Sequence, residues 1–473
     1  MKVLFCYPDI LDFPGYPGEY YFGVGSMASV LKKNGFEVTM IHLVKKKGID
    51  NFITDVKKFS PQLIAFSFTS NMLYYVQQCL KLLNNELPHI PVIAGGVHST
   101  LNPQETIMLE GIDMVCVGEG EYPLLDLCNS YEHNTSRLDI ENIWFKTNGK
   151  VIKNKLRPLL NLDTLPYPSR EIFPNYTNLL HEQQRRIPFM ASRGCPYSCT
   201  YCCNQALNNV YGTGGYVRFK SVDFFISEVK ETLSKYTFAQ SLIFHDDILP
   251  LKMDWFKEFA VKYKKEINLP YTCNLRPNLV KKEVVELLKY ANCRAVLIGI
   301  ESGNEYLRNK VLNRIITEEE LGNAFSLLKN AGLKVTSFNM VGVPFETKDT
   351  ILETIKMNAR FGVDLVQSTI FFPYRGTKLF DLCSEQGLID QNKVVTDYYT
   401  DTKLKNKNLK SYEVVAYKRG FNFLVPIYKK LFNCFGEDGT MPKCVDYMLK
   451  LKFILFIIYF FRDCFIYFKI RKI

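Results

Sequence analysis

An alternation of short apolar runs with amphipathic segments, repeated twice along this 473-residue chain, restricts its fold more than any other feature. The first series fills the opening 130 residues. Apolar runs at Val3–Tyr7, Phe36–Val44, Gln62–Ser67, Pro91–Gly95 and Ile112–Val117 alternate with helical spacing at Val24–Asn34, Ile49–Phe59 and Leu73–Leu83. Near-continuous apolar strands are what a parallel sheet covered on both faces requires. The series predicts a doubly wound, Rossmann-like α/β sheet, which binds ligands at the carboxyl ends of its strands. The polar and glycine-rich stretches Ser67–Asn71, Gly95–Thr100 and Gly118–Glu121 fall at those ends.

The second series starts near Ile187. Strands are expected at Ile187–Ala191, Ser241–Phe244, Tyr271–Asn274, Ala295–Ile300, Val335–Met340 and Leu365–Phe371. Helices are expected at Asp223–Lys235, Trp255–Glu266, Lys281–Tyr290, Glu318–Ala331 and Thr347–Phe361. A full eight-stranded barrel needs about 250 residues, and this stretch has about 190, so a partial (β/α)6 TIM barrel is expected. Between the series, residues 141–155 read as a hairpin around Asn148-Gly149, and 157–185 as a proline-bearing linker. The expected organisation is a Rossmann-like domain over 1–140, hairpin and linker over 141–185, the barrel over 186–385, and a mainly helical C-terminal region over 386–473.

Charge is concentrated at the C-terminus. Residues 401–473 carry 15 Lys and Arg against 6 Asp and Glu, a net of +9 out of +11 for the whole chain. The remainder is near neutral, which argues against a nucleic-acid partner. The end of the chain holds the apolar runs Phe453–Phe461 and Cys464–Phe468, split by Arg462-Asp463. Three readings stand: a helix capping the barrel, a helix lying on anionic lipid, and a membrane span. Met1–Pro8 reads as a buried strand and is too short for a secretory signal core, so a reducing, cytoplasmic setting is expected. There, clustered cysteines serve metals or catalysis more often than disulfides.

One tight cysteine cluster exists. Ser192-Arg193-Gly194-Cys195-Pro196-Tyr197-Ser198-Cys199-Thr200-Tyr201-Cys202-Cys203 contains C-x3-C-x2-C directly after an apolar strand. Three close thiolates suit three corners of a cubane iron–sulfur cluster and leave a fourth iron open. Zinc is the alternative, but structural zinc usually takes four ligands, and no nearby Cys-x2-Cys or His pair completes the set. Cys203 reads as packing, because adjacent thiolates reach one centre only with strain.

This segment resembles the radical S-adenosylmethionine (SAM) superfamily. The resemblance implies that Cys195, Cys199 and Cys202 ligate a 4Fe–4S cluster whose open iron is chelated by SAM. Reductive cleavage of SAM then gives a 5′-deoxyadenosyl radical, and Tyr201 packs near the adenine. Further segments fit the family at successive strand ends. Gly299-Ile300-Glu301-Ser302-Gly303 resembles the ribose-contacting segment, and Gly342-Val343-Pro344 the adenine-side turn. Pro373–Thr377 resembles the turn after the sixth strand. His245-Asp246-Asp247 stands where the family often has Gly-Gly-Glu, leaving open whether Asp246 or Asp247 meets the SAM amino group. Arg276 is placed to meet the SAM carboxylate or a substrate.

The first domain is similar to the cobalamin-binding domain found ahead of many such barrels. The similarity rests on Gly23–Ala28, Ala94-Gly95-Gly96-Val97-His98-Ser99-Thr100 and Val117-Gly118-Glu119-Gly120-Glu121. It implies cobalamin contacts from Gly95, Gly96, His98, Thr100, Gly118 and Glu119. The Asp-x-His-x-x-Gly signature that supplies histidine to cobalt is absent around every histidine. His98 is therefore expected to be a hydrogen-bonding loop residue.

Together the resemblances imply a cobalamin-dependent radical SAM enzyme of the class B type. Its most direct activity is methylation of an unactivated carbon through methylcobalamin. Cyclisation or rearrangement without net methyl transfer is the alternative, and a non-catalytic sensor a more distant one. No catalytic side chain is singled out. The implied partners are a small-molecule or lipid-like substrate and an external electron donor of flavodoxin or ferredoxin type. Peripheral membrane contact through the C-terminal tail is a further expectation.

Overall fold

A computed structural model describes residues 1–455, apart from 12–15, 136, 175, 183–184 and 213–214. The apolar tail from residue 456 onward, on which the three readings of the C-terminus turn, lies outside the described residues. The chain divides into two compact units. The first comprises Met1–Pro196, Cys202–Ser241 and Tyr374–Thr377; the second comprises Tyr197–Tyr201, Leu242–Pro373 and the chain from Lys378.

In the first unit, strands β1 (Lys2–Tyr7), β2 (Glu37–His42), β3 (Leu63–Ser67), β4 (Val92–Gly95) and β5 (Met114–Cys116) pair in parallel in the order β2-β1-β3-β4-β5. This is the doubly wound order with a switch point beside β1. Val3–Tyr7 is buried on both faces of the sheet, which is why its sequence shows no alternation. Edge strand β2 is only partly buried, Met40 being its one buried residue. The expected hairpin forms as β6 (Ile143–Thr147) and β7 (Lys150–Lys153). β6 pairs antiparallel with β5, Met114 opposite Phe145, so the hairpin extends the sheet to seven strands.

Two stretches expected as loop or linker contain helices. The segment after β4 forms short helices Val97–Leu101 and Pro103–Ile107. Pro103 opens the second because a first helical turn needs no donor from it. Helix Tyr176–Glu182 lies within the expected linker. β8 (Arg186–Phe189) follows, then β9 (Ser192–Arg193), which pairs antiparallel with β10 (Arg218–Phe219).

The second unit holds β11 (Ser241–Phe244, from Leu242), β12 (Tyr271–Leu275), β13 (Cys293–Glu301), β14 (Lys334–Val341) and β15 (Leu365–Ile370). Neighbours in sequence are neighbours in space, and all pair in parallel. A helix follows each of the first four strands: Met253–Glu266, Lys282–Tyr290, Glu318–Asn330 and Lys348–Phe361. The last two begin with capping boxes, Thr317 with Glu320 and Thr347 with Thr350, which satisfy amides that have no intrahelical acceptor. The sheet is the expected partial barrel. At its strand ends, Met340, Val343, Phe371, Leu379, Leu388 and Leu404 form a buried cluster against which Tyr201 packs. The expected C-terminal helices are Ser411–Phe435 and Thr440–Lys450. Among the described residues, no helix is long and apolar enough to cross a membrane.

Candidate functional site

Cys195, Cys199 and Cys202 occupy the loop between β9 and the helix Cys203–Tyr211. Cys199 is buried, while Cys195 and Cys202 are half-buried. In the second unit, Arg276 at the end of β12 lays its guanidinium on the Tyr197 ring, 3.7 Å from its centroid, and puts Nη1 3.7 Å from Cys199 Sγ. Nη2 donates to the Arg314 carbonyl. Nε is buried with no hydrogen-bond partner among the described residues. A cation thus stands beside the cluster-type cysteine, with one donor left over for an incoming anionic group.

Glu301 ends β13 with φ +65°, an unfavourable backbone conformation for a side-chain-bearing residue. Burial raises its pKa, and Arg314, Tyr201 and Arg276 act against that rise. Arg314 Nη1 lies 3.6 Å from the Glu301 carboxylate and donates to the Tyr201 hydroxyl at 2.9 Å; its Nη2 donates to the Gly299 carbonyl at 2.8 Å. Tyr201, Arg276 and Glu301 are therefore brought together, with Arg314 as the residue that joins them.

Ser302 is fully buried and its Oγ has no partner among the described residues. The turn it belongs to is fixed by the fully buried Arg308, which donates to the carbonyls of Ser302 (3.0 Å), Gly303 (3.1 Å) and Ile316 (2.8 Å). Asp246 and Asp247 diverge. Asp246 is fully buried with its carbonyl bonded by Asn274, and Asp247 is exposed. Gly342 and Pro344 form a buried turn, with Gly342 at φ +81° and a Val414 methyl 2.7 Å from where a β-carbon would sit. Glu346 closes this turn by accepting from the Gly342 amide, and burial pushes its pKa up to about 8.

In the first unit, the two glycine-rich segments meet where Thr100 Oγ1 accepts from the Gly118 amide at 3.0 Å. Gly96 has φ +89°, and a β-carbon there would lie 2.8 Å from both Phe68 N and O, so only glycine fits. Gly95 precedes it at the end of β4. His98 is 1% exposed, stacks on Phe68, and pairs Nδ1 with Ser70 Oγ at 2.9 Å. Burial and then Arg375 push its pKa down to about 4, so the ring is neutral at pH 7. Its Nε2 has no partner among the described residues. Glu119 is engaged elsewhere, with Arg193 Nη1 at 2.6 Å and Arg218 Nη2 at 2.7 Å.

Sequence reasoning singled out none of Arg193, Arg218, Arg308, Arg314 and Glu346. A usable signal exists for Glu346, a carboxylate four residues after a turn glycine. Arg193, Arg218 and Arg314 have partners at sequence separations that local patterning does not reveal, whereas Arg308 meets carbonyls close by in the chain.

Comparison with known proteins gives the class. Residues 190–357 match the radical SAM superfamily model, and residues 19–127 match the B12 binding domain model. The chain belongs to the cobalamin-dependent radical SAM family. It is 26% identical over 373 residues to an uncharacterised methyltransferase of Pyrococcus horikoshii, covering 78% of this chain and 79% of the relative. It is 24% identical over 446 residues to the anaerobic magnesium-protoporphyrin IX monomethyl ester cyclase of Cereibacter sphaeroides, covering 90% and 66%. The fold is similar to that of the radical SAM methyltransferase TsrM from Kitasatospora setae, solved with cobalamin and a 4Fe–4S cluster. The TM-score is 0.66 at 17% identity, covering 81% of this chain and 78% of that one. The cofactors of this enzyme are a 4Fe–4S cluster, SAM and cobalamin.

Proposed function

We propose that this enzyme transfers a methyl group to an unactivated carbon of a small-molecule or lipid-like substrate. The observation that carries the reading is one chain holding both a radical SAM domain and a B12-binding domain, with a methyltransferase-named relative along 78% of its length. The bound cofactors supply an electron, a hydrogen-abstracting carbon radical and a methyl carrier. The protein does the placing. Cys195, Cys199 and Cys202 hold the cluster, with Arg276 as the cation beside Cys199. Glu301 offers its carboxylate to ribose hydroxyls, fixed by Arg314 through Tyr201. Buried Ser302 and Asp246, with the Gly342–Pro344 turn, complete the SAM cradle, and Asp247 faces outward. Gly95, Gly96, Thr100 and Gly118 lie on the joined loops that would hold cobalamin, with Nε2 of neutral His98, which has no partner among the described residues, as a hydrogen-bonding atom. An external flavodoxin- or ferredoxin-type donor supplies the electron in the cytoplasm, and the basic C-terminal tail touches the membrane surface.

The cyclase relative, matched over 90% of this chain, favours a second reading in which SAM is cleaved without net methyl transfer. The discriminating experiment supplies reconstituted protein anaerobically with cobalamin, reductant and methyl-labelled SAM. Label on cobalamin together with 5′-deoxyadenosine supports methyl transfer. Deoxyadenosine with cobalamin unlabelled throughout rejects it in favour of the second reading.

A further inference from the structure

Arg193 lies two residues before Cys195, yet its guanidinium is spent on the first domain. Nη1 meets Glu119 at 2.6 Å, and Nη2 meets Glu121 at 2.5 Å and Ser26 Oγ at 3.3 Å. Ser26 in turn donates to Glu121 at 2.8 Å. On the other side of Glu119, Arg218 donates through Nη2 at 2.7 Å and Nη1 at 3.0 Å. Arg218 sits directly opposite Arg193 in the β9–β10 pair. Two arginines on facing strands therefore grip one carboxylate, and a second carboxylate completes the ring. Side-chain exposure falls from 27% at Arg193 to 3% at Glu121, so water screens this ring poorly.

A second line of contacts joins the same two segments. The Tyr211 hydroxyl packs against Gly118 so closely that a β-carbon there would lie 2.4 Å from it. Tyr211 stacks on Tyr216, with centroids 5.7 Å apart. Tyr216 covers Gly194, where a β-carbon would sit 2.8 Å from its ring, and donates to Asn204 Oδ1 at 3.1 Å. Asn204 Nδ2 lies 3.8 Å from Cys202 Sγ. Gly194, at φ +92°, would otherwise be a swivel between Arg193 and Cys195; the tyrosine pins it.

We propose that Arg193 is a positioning residue: through it the Gly118–Glu121 loop of the B12-binding domain sets the placement of the Cys195 loop, so that cobalamin binding at the first alters the cluster held by the second. The planar guanidinium is suited to this, because its two ends fix direction as well as distance. The proposal rests on the assignment of the Gly118–Glu119 loop to cobalamin.

The test uses full-length, anaerobically reconstituted wild type, R193Q and R193K. Cobalamin uptake is read from the visible spectrum, and the cluster from iron-specific Mössbauer spectra with and without cobalamin. The expected result is a cobalamin-induced shift of the iron signals in wild type, its loss in R193Q, and partial recovery in R193K, which keeps one charge. If R193Q fails to fold, E121Q frees one arm of the guanidinium and is expected to reduce the shift. Wild type that binds cobalamin without any shift, or a glutamine variant that binds it with the full wild-type shift, overturns the linkage alone. Wild type that binds no cobalamin overturns the loop assignment, and the linkage with it.

Discussion

Replacing Glu119 by Gln isolates the energy stored in the arginine–glutamate ring. Burial alone would raise the Glu119 pKa, but hydrogen bonds from Arg218 and the charges of Arg193 and Arg218 hold it at about 2, against an ordinary value of 4.5. That separation corresponds to about 3 kcal/mol of folding stability at pH 7. Removing one partner of a buried pair costs roughly 3–5 kcal/mol by an independent route, because the arginines are left uncompensated. At roughly 2–4 °C per kcal/mol, E119Q lowers the melting transition of the first unit by roughly 6–12 °C at pH 7. The folded-state pKa is depressed, so the stabilisation is complete above pH 4.5 and is lost as pH falls through about 2. By pH 3 about 2 kcal/mol of it is gone, and the gap between the proteins narrows accordingly. Differential scanning calorimetry of the cofactor-free proteins at several pH values reads both effects. E119Q melting within about 1 °C of wild type at pH 7, or a gap independent of pH, would refute the reasoning.

Three further outcomes are expected. The His98 pKa lies at about 4, below the ordinary 6.5, so its contribution is present above pH 6.5 and is lost as pH falls through about 4. H98N should flatten that part of the stability–pH curve, measured by urea unfolding. G96A forces a β-carbon onto the Phe68 backbone at φ +89° and should abolish cobalamin binding, read by visible titration, while lowering stability by roughly 1–3 kcal/mol. R308M strips three buried carbonyls of their donor; it should cost roughly 3 kcal/mol and weaken binding of a non-cleavable SAM analogue, measured by calorimetric titration.

The sheet cores were legible because buried parallel strands must be apolar at every position, as Val3–Tyr7 and Ile64–Phe66 are. The cysteine loop stood out in the sequence because its C-x3-C-x2-C spacing lies along the chain itself. The helices Val97–Leu101 and Cys203–Tyr211 did not. Each is short, rich in Ser, Thr or Asn, and held by neighbours rather than by intrinsic propensity. The Arg193 ring was invisible for another reason. Its members lie 72, 74 and 99 residues apart, and an arginine beside a cysteine motif carries no local mark of its partner. Glu119 shows the same limit: nothing in its motif announces that its carboxylate meets two arginines.

Cofactor content tests the central claim most directly. Anaerobically reconstituted full-length protein should hold one four-iron cluster and one cobalamin per chain, and added SAM should perturb the iron signals. Substitution of Cys195, Cys199 or Cys202 by Ala should abolish the cluster while leaving cobalamin uptake intact. A protein that takes up zinc and no iron–sulfur cluster, or whose cluster survives all three substitutions, would contradict the account.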